Sequence, residues 1–296
     1  MLVILTYFCL MQQLPYLTPQ AITEFIQRAL REDIGDGDHS SLASVPANAQ
    51  KRARLLIKDT GILAGMALAP MIFREVDAGL LVASLLKDGD LVKPGEVGLT
   101  VSGNARSILQ AERLVLNCMQ RMSGIATFTH RLARMISHTK ARLLDTRKTT
   151  PNFRMMEKWA VAIGGGLNHR YGLFDMIILK DNHVDYAGGI TPAIRSSHEY
   201  LRQTGRDLKI VIETRSLAEV EEVLQIGGVF RIMLDNMSPA LMREAVQLIK
   251  GRFPTEASGG INESTIVAVA ESGVDFISVG ALTHSIRSLD ISLKAF

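Results

Sequence analysis

The chain is organised around three neighbouring segments: Asp145-Thr-Arg-Lys-Thr-Thr-Pro151, Gly164-Gly-Gly-Leu-Asn-His-Arg170 and Leu179-Lys-Asp-Asn-His183. Each segment places basic or polar residues beside glycines or at the end of an apolar run. Surface charge normally spreads along helix faces with its counter-charges nearby. Here the basic residues cluster at loops and strand ends, which predicts a pocket for a small molecule that carries several negative charges.

Apolar strands and helices alternate through the rest of the chain after residue 141. The candidate strands are 142–146, 175–179, 209–212, 231–234, 255–257 and 275–278, and the candidate helices between them are 153–163, 191–203, 217–226, 239–250 and 263–271. Repeated strand–helix units predict a parallel sheet with right-handed crossovers. Because only six strands are visible, we expect an incomplete α/β barrel.

The residues before this alternation predict a smaller α+β domain. Thr18-Pro19 is typical of a helix start, and short strands separated by turns fill 52–103, with one helix at 67–76. A long helix follows from residue 105 to 122. Ser123-Gly124 predicts a break before the next helix, at 126–137.

Composition excludes several classes of protein. With 296 residues, 47% of them hydrophobic and 21% charged, the chain is globular and long enough for a barrel and a smaller domain. A net charge of +3 is too balanced for a nucleic-acid-binding protein. Cys9 and Cys118 form neither a disulfide framework nor a metal-ligand spacing, which fits a reducing cytosol. The apolar residues 1–10 are too short to span a bilayer and lack the features of a targeting signal, so we expect a cytoplasmic protein that does not enter a membrane.

Polar or small residues stand at the end of every predicted strand of the barrel. In strand order they are Arg147 with Lys148, Lys180, Glu213, Asp235, Ser258-Gly259-Gly260 and Gly280. A β/α barrel assembles its active site at these strand ends and holds phosphate in glycine-rich loops after the last two strands. A doubly wound sheet gathers such residues at one switch point only, so the pattern favours a barrel. The two glycine-rich turns predict a phosphomonoester site, because glycine lets backbone N–H groups approach a phosphate closely.

Four bases predict recognition of carboxylates: Arg147, His169, Arg170 and Lys180. A planar guanidinium grips a carboxylate with two parallel hydrogen bonds, whereas a lysine supplies a point charge. One such arginine alone would be read as a surface salt bridge, and the histidine alone as a buried structural residue. Four together favour a carboxylate site.

Glu213 and Asp235 place two carboxylates at adjacent strand ends. Mg²⁺ is commonly held by one or two carboxylates together with substrate phosphates. The same carboxylates could instead bind ribose hydroxyls, stabilise a developing cation or form ion pairs with neighbouring lysines.

In this order the motifs resemble those of the quinolinate phosphoribosyltransferase family. The resemblance runs through nearly the whole chain and includes, besides the segments quoted above, 30–38, 112–117, 123–127, 233–237 and 256–261. It implies transfer of phosphoribosyl from phosphoribosyl pyrophosphate to the ring nitrogen of quinolinate, with Mg²⁺ as cofactor. Loss of CO₂ would then give nicotinate mononucleotide and pyrophosphate, a step of NAD biosynthesis.

The resemblance also implies an architecture and an assembly. The subunit would have an α+β sandwich domain at 1–118, joined by the C-terminal segment 281–296, and an open, TIM-like α/β barrel at 119–280. The subunits would form a homodimer, or a hexamer built as a trimer of dimers, in which Arg113 completes the site of the neighbouring subunit.

Roles for individual residues follow from the resemblance at matching positions. The residues implied to bind substrate are Arg113, Thr146, Arg147, Lys148, His169, Arg170, Lys180, Glu213, Asp235, Ser258, Gly259, Gly260, Val279, Gly280 and His284. The residues implied to be catalytic are Lys148, Lys180, Glu213 and Asp235. Mg²⁺ would be held by Glu213 and Asp235, largely through substrate and water.

Two other functions stay open on the sequence alone. One is a related phosphoribosyltransferase associated with molybdate-transport operons, which would use another acceptor; its relatives depart from the Asn-His-Arg and Lys-Asp-Asn-His motifs that are intact here. The other is a barrel aldolase of a different class, in which Lys180 forms a Schiff base with a carbonyl substrate. Borohydride trapping would reveal that adduct.

Overall fold

The computed structural model describes residues 14–296 of the chain. The described chain divides into two compact units. One comprises the chain up to Phe128 with Thr150–Gly164 and Ser285–Phe296; the other comprises Thr129–Thr149 and Gly165–His284. The predicted boundaries, 1–118 with 281–296 and 119–280, divide the chain differently and stay a prediction.

The first unit contains a four-stranded antiparallel sheet, within the described residues, in the order β12-β1-β5-β3. Its strands are β1 (Gln50–Ile57), β3 (Leu81–Ser84), β5 (Val97–Asn104) and β12 (Ile291–Ala295), and a small second sheet pairs β2 (Gly61–Ile62) with β4 (Leu91–Val92). The helices of this unit include α1 (Pro19–Ile34), α2 (His39–Ser44), α3 (Ala69–Val76) and most of α4 (Ala105–Met135), whose residues from Thr129 onwards belong to the other unit. The last strand pairs with β1 from Ala53 opposite Ala295 to Ile57 opposite Ile291, so the end of the chain completes the sheet.

Helix α1 starts where the sequence predicts. The side chain of Thr18 caps the helix by accepting a hydrogen bond from the backbone N–H of Ala21, and Pro19 occupies the first helical position. Its buried face carries Ile22, Phe25, Ile26 and Leu30. The predicted helix start is confirmed.

Helix α4 is continuous, so the predicted break at Ser123-Gly124 is wrong. The Ser123 hydroxyl accepts a hydrogen bond from the backbone N–H of Ala64 at 2.9 Å and donates one to its carbonyl at 3.2 Å. A Cβ on Gly124 would overlap the carbonyl oxygen of Arg287. Ser123 and Gly124 therefore allow the helix to pack closely against other segments of the same chain, and they do not end the helix.

The second unit contains, within the described residues, a six-stranded sheet in the order β6-β11-β10-β9-β8-β7, with every pair parallel. The strands are β6 (Arg142–Leu144), β7 (Ile177–Leu179), β8 (Ile210–Thr214), β9 (Arg231–Asp235), β10 (Thr255–Ser258) and β11 (Phe276–Ser278). Its helices are α6 (Asp181–Ala187), α7 (Ile190–Thr204), α8 (Leu217–Ile226), α9 (Pro239–Ile249), α10 (Ile266–Ala270) and α11 (Ala281–His284); α5 (Arg154–Ile163) belongs to the first unit. All six predicted strands are present. The sheet is open between β6 and β7, as expected for an incomplete barrel.

One face of this sheet carries the polar strand ends. Residues paired across parallel strands point to the same face, and so do residues two apart along a strand. An apolar cluster of Ile178, Val211 and Met233 lies on this face. Glu213 is paired with Met233 and therefore lies on the same side. On this face the apolar side chains therefore form a packed layer, and the functional groups follow at the carboxyl ends of the strands.

None of the helices in residues 14–296 is both long and apolar enough to cross a membrane.

Candidate active site

Lys180 and Glu213 form an ion pair at the ends of two neighbouring strands. The ammonium nitrogen of Lys180, at the end of β7, lies 2.6 Å from Oε1 of Glu213 on β8. The backbone N–H of Asp181, the first residue of α6, donates to Oε2 of Glu213 at 3.3 Å. Glu213 is buried, whereas half of the Lys180 side chain is exposed. The carboxylate is therefore fixed, and the lysine can also reach a ligand.

Arg170 is a buried cation with unused hydrogen-bonding capacity. Its Nη1 donates to the carbonyl of Met176 at 2.9 Å, but its Nε is buried and has no hydrogen-bond partner among residues 14–296. Burial lowers the pKa of the Arg170 guanidinium and the nearby Arg147 lowers it further, while Asp175 and Glu213 act in the opposite direction. Arg147 is itself exposed, whereas the buried Arg170 has a donor without an acceptor, which a carboxylate ligand would supply.

The backbone and the ring of His169 are both held by hydrogen bonds. The N–H of His169 donates to Oδ1 of Asp145 at 2.8 Å, and the side chain of Asn168 donates to Oδ2 at 2.7 Å. The backbone N–H of Arg170 donates to Nδ1 of His169 at 2.7 Å. An acceptor Nδ1 places the ring proton on Nε2.

Nε2 of His169 faces a buried network that the sequence did not predict. It lies 3.3 Å from Oε2 of Glu256, and the same oxygen accepts a hydrogen bond from Nη1 of Arg231 at 2.6 Å. The hydroxyl of Ser278 donates to the other oxygen, Oε1. Burial acts to raise the pKa of Glu256, but His169, Arg231 and Ser278 together hold the pKa of this carboxyl below its usual range. Glu256 is therefore an ionised carboxylate inside the sheet.

The turn after β10, where the sequence predicts a phosphate cradle, has a backbone that requires glycine. Gly259 and Gly260 both have positive φ, +92° and +63°. A Cβ on Gly259 would overlap Oδ1 of Asn236, so only glycine fits there. The backbone N–H of Asn236 donates to the carbonyl of Ser258 at 2.9 Å, which ties the turn to the end of β9.

The turn after β11 lies against Lys148. A Cβ on Gly280 would be 2.9 Å from Cδ of Lys148 and 3.2 Å from the His284 ring. The hydroxyl of Thr283 donates to the carbonyl of Lys148 at 2.7 Å. Val279 is anchored to the neighbouring strand by a hydrogen bond from its N–H to the carbonyl of Leu144 at 3.0 Å. Lys148, Gly280 and His284 are thus brought together.

The two remaining strand-end residues occupy the positions that the pattern predicts. Thr146 follows β6, and its hydroxyl accepts a hydrogen bond from the backbone N–H of Lys148 at 3.0 Å. Asp235 ends β9 half-buried, opposite Ser258 on β10, and its Oδ2 accepts a hydrogen bond from Asn236 at 2.7 Å. Arg113 is exposed on α4, in the first compact unit.

No group of three or more His, Cys, Asp or Glu side chains within residues 14–296 is arranged to hold a metal ion. Of the two predicted metal ligands, Glu213 already uses both carboxylate oxygens on Lys180 and Asp181. No hydrogen bond from the described residues engages Oδ1 of Asp235. An ion at this place would need ligands from a substrate.

Comparison with known proteins agrees with this geometry. Residues 38–123 and 125–294 match the N-terminal and the C-terminal domain of the family described as quinolinate phosphoribosyl transferase. The chain belongs to the quinolinate phosphoribosyltransferase family.

Relatives of this family are similar over nearly the whole chain. The nicotinate-nucleotide pyrophosphorylase (carboxylating), chloroplastic, of Arabidopsis thaliana is 50% identical over 284 residues, which cover 91% of this chain and 81% of the relative. The quinolinate phosphoribosyltransferase (decarboxylating) 1b of Nicotiana tabacum is 49% identical over 284 residues, with the same two coverages, 91% and 81%. The crystal structure of NadC from Streptococcus pyogenes superposes with a TM-score of 0.88 at 40% identity and covers 94% of this chain and 97% of that one. The expected fold, an open barrel with a smaller N-terminal domain, is confirmed.

Sequence reasoning missed the buried network of Glu256, Arg231 and Ser278, which adjoins the site through His169. Glu256 opens the Glu-Ala-Ser-Gly-Gly motif and Arg231 opens β9, yet the sequence pattern marks each only as part of a strand. A signal was available, because a glutamate within a buried strand needs a partner. What the sequence could not show is that the partners come from three separate segments.

Proposed function

We propose that this chain transfers the phosphoribosyl group of phosphoribosyl pyrophosphate to the ring nitrogen of quinolinate and releases pyrophosphate and CO₂. The product is nicotinate mononucleotide, a precursor of NAD. The observation that carries the proposal is the buried Arg170, whose Nε has no partner among the described residues and which shares its surroundings with Arg147. Quinolinate carries two carboxylates and would supply the missing acceptors.

The acceptor is held by its charges. Arg147 and Arg170 bind one or both carboxylates through paired N–H donors, and Lys180 adds a point charge from the end of β7. His169 lies next to Arg170 with its ring nitrogens facing the Arg170 backbone and Glu256, so its part is to support Arg170. This arrangement holds the ring nitrogen in line with the ribose carbon, which lowers the entropic part of the barrier.

The donor is held at the other strand ends. Backbone N–H groups of the Ser258–Gly260 turn and of Val279 and Gly280 bind the 5-phosphate, with His284 nearby. Lys148 lies against Gly280 and reaches the pyrophosphate. The cradle and the lysine together fix the two ends of the donor.

Bond breaking and bond making follow from these positions. The bond from the ribose C1 to the pyrophosphate oxygen breaks, the ribose becomes cationic, and the carboxylates of Glu213 and Asp235 stabilise that charge. The ring nitrogen then forms the new bond to C1. The cationic ring accepts the electron pair of the carbon–carboxylate bond as CO₂ leaves, and the ring carbon takes up a proton.

Mg²⁺ fits the site as an ion shared with the substrate. Asp235 offers one carboxylate oxygen without a hydrogen bond from the described residues, and Glu213 stands at the next strand end. One or two carboxylates with substrate phosphates are the ligands that Mg²⁺ commonly uses. When bound, the ion neutralises charge on the leaving pyrophosphate.

Lys180 is used here as a charge, which disfavours the aldolase. A Schiff base requires a lysine nitrogen with a free lone pair, whereas this nitrogen lies 2.6 Å from a buried carboxylate. Borohydride reduction in the presence of carbonyl substrates is therefore expected to trap no adduct on Lys180.

We also propose that the enzyme works as a homodimer in the cytosol. Arg113 is exposed on α4 and would complete the site of the neighbouring subunit. Arg113→Ala and Lys148→Ala homodimers should both be inactive and folded, while reassembled mixtures should recover part of the turnover. Mixtures that stay inactive would contradict the shared site. The unpaired thiol of Cys118 fits a reducing compartment, and fractionation of the tagged protein tests that part.

An acceptor panel tests the proposed reaction. Purified protein is incubated with phosphoribosyl pyrophosphate, Mg²⁺ and either quinolinate, nicotinate or another aromatic acid, and nucleotide products are separated by chromatography. We expect nicotinate mononucleotide from quinolinate and none from nicotinate, which brings one carboxylate to a site built for two. If a product forms only with another acceptor, the result contradicts the proposed function and favours that of the molybdate-operon relative.

A further inference from the structure

Glu256 is a fully buried carboxylate near the candidate site, with none of its surface exposed. It lies in the middle of β10, paired with Met233 on one side and Phe276 on the other. A buried charge is costly unless partners compensate for it. Here three side chains do so from three separate chain segments: Arg231, Ser278 and His169.

These partners divide between the two carboxylate oxygens. Ser278 donates to Oε1, whereas Arg231 and His169 both face Oε2, at 2.6 Å and 3.3 Å. Arg231 offsets the negative charge of Glu256, so the carboxylate does not cancel the positive charge that binds the acceptor. The contact between Glu256 and His169 therefore affects the orientation of the imidazole ring rather than the charge of the site.

The His169 ring joins Glu256 to the acceptor-binding arginine. One ring nitrogen faces Glu256, and the other accepts the backbone N–H of Arg170 at 2.7 Å. Only 6% of the His169 side chain is exposed, so the ring has little freedom of its own. A change at Glu256 would therefore alter the position of the His169 ring and, through the ring, the position of the Arg170 backbone.

We propose that Glu256 is a positioning residue for the acceptor, because it orients the His169 imidazole and thereby the backbone of Arg170. The proposal rests on the proposed function and adds a residue to it. Glu256 does not touch the substrate. We expect its effect on binding of the pyridine dicarboxylate rather than of the phosphoribosyl donor, because its side chain faces His169 although the donor cradle follows on the same strand, β10.

The kinetic test compares Glu256→Gln with Ser278→Ala. The first removes the charge that faces His169, and the second removes only the donor to the opposite oxygen. We expect Glu256→Gln to raise the KM for quinolinate roughly tenfold, which corresponds to about 1.4 kcal/mol of lost positioning. The KM for phosphoribosyl pyrophosphate should stay within about twofold, and Ser278→Ala should change neither KM by more than that. Equal changes in both constants, or none in a folded Glu256→Gln protein, would overturn the proposal.

A spectroscopic test does not depend on turnover. In ¹⁵N-histidine-labelled protein without substrate, the His169 resonances, assigned with His169→Asn, should report a protonated Nε2 and an acceptor Nδ1. In Glu256→Gln these ring resonances should shift, and in Ser278→Ala they should not. Unchanged resonances in Glu256→Gln would contradict the contact even if the enzyme were active. If the wild type transfers nothing to quinolinate, the proposed function fails while this result still stands.

Should Glu256→Gln not fold, Glu256→Asp provides the same test with the charge kept. Its shorter side chain withdraws the carboxylate from His169, so the ring resonances and the KM for quinolinate should both change. A folded Glu256→Asp protein with wild-type values for both would refute the positioning role.

Discussion

Replacement of Arg170 gives the sharpest prediction about the acceptor site. The side chain is 8% exposed, and in the described chain its guanidinium makes a hydrogen bond to the carbonyl of Met176 while Nε has no partner. Arg170→Lys keeps a positive charge but loses the planar pair of donors. Arg170→Met keeps much of the volume and removes the charge.

The size of the effect follows from the hydrogen bonds to the acceptor that each variant removes. A hydrogen bond to a charged group contributes about 1.5–3 kcal/mol, and about 1.4 kcal/mol corresponds to a factor of ten. Arg170→Lys loses one such bond to the acceptor, so kcat/KM for quinolinate should fall roughly 10- to 100-fold. Arg170→Met loses both, and the fall should be roughly 10²- to 10⁴-fold. Stability should change little, because the described chain gives the Arg170 guanidinium no ion pair to lose and only one hydrogen bond, to the Met176 carbonyl.

Steady-state kinetics with each substrate varied in turn provide the measurement. The loss should be specific to quinolinate, with the KM for phosphoribosyl pyrophosphate within about twofold of wild type. Arg202→Lys is the matched control, since that arginine is 76% exposed and pairs with Glu199 on its own helix. A loss of less than about threefold in Arg170→Lys, or an equal loss for both substrates, would refute the assignment of Arg170 to the acceptor.

Three further predictions concern stability. Gly259→Ala should destabilise the protein by about 3 kcal/mol, because the new Cβ would meet Asn236. Gly260→Ala has no atom within 4 Å of the new Cβ and should cost only about 1 kcal/mol of backbone strain. Thermal unfolding of the two variants provides the comparison. Glu157→Gln should lower the free energy of unfolding by about 3 kcal/mol in urea titrations, because it removes a buried carboxylate that accepts hydrogen bonds from an arginine of α4. The folded-state pKa of Glu256 is lowered, so its stabilisation is fully present above the ordinary glutamate pKa and is lost as the pH falls below it. The difference in unfolding free energy between wild type and Glu256→Gln should therefore shrink below about pH 4, and a constant difference would contradict this.

The barrel could be predicted because its signals are local and repeated. Each strand is an apolar run that ends at a charged or small residue, and each such residue lies where the pattern puts it, as Lys180 and Glu213 do. Parallel strands bring their carboxyl ends to one edge of the sheet, so strand order alone is enough to gather these groups.

Contacts between distant segments escaped prediction for a physical reason. Local sequence marks Gly124 as a helix breaker, but its role is to let the helix pack against the Arg287 carbonyl far along the chain. Arg231 and Glu256 are 25 residues apart and meet only because their strands are neighbours in the folded sheet. Local spacing carries no information about such pairs.

Release of labelled CO₂ tests the central claim most directly. Quinolinate labelled with ¹⁴C at the 2-carboxylate and, separately, at the 3-carboxylate is incubated with the protein, with and without phosphoribosyl pyrophosphate and Mg²⁺. We expect release from the 2-label only, when both additions are present, in equal amounts with nicotinate mononucleotide. No release from folded protein that binds phosphoribosyl pyrophosphate would contradict the proposed reaction and leave a transferase with another acceptor.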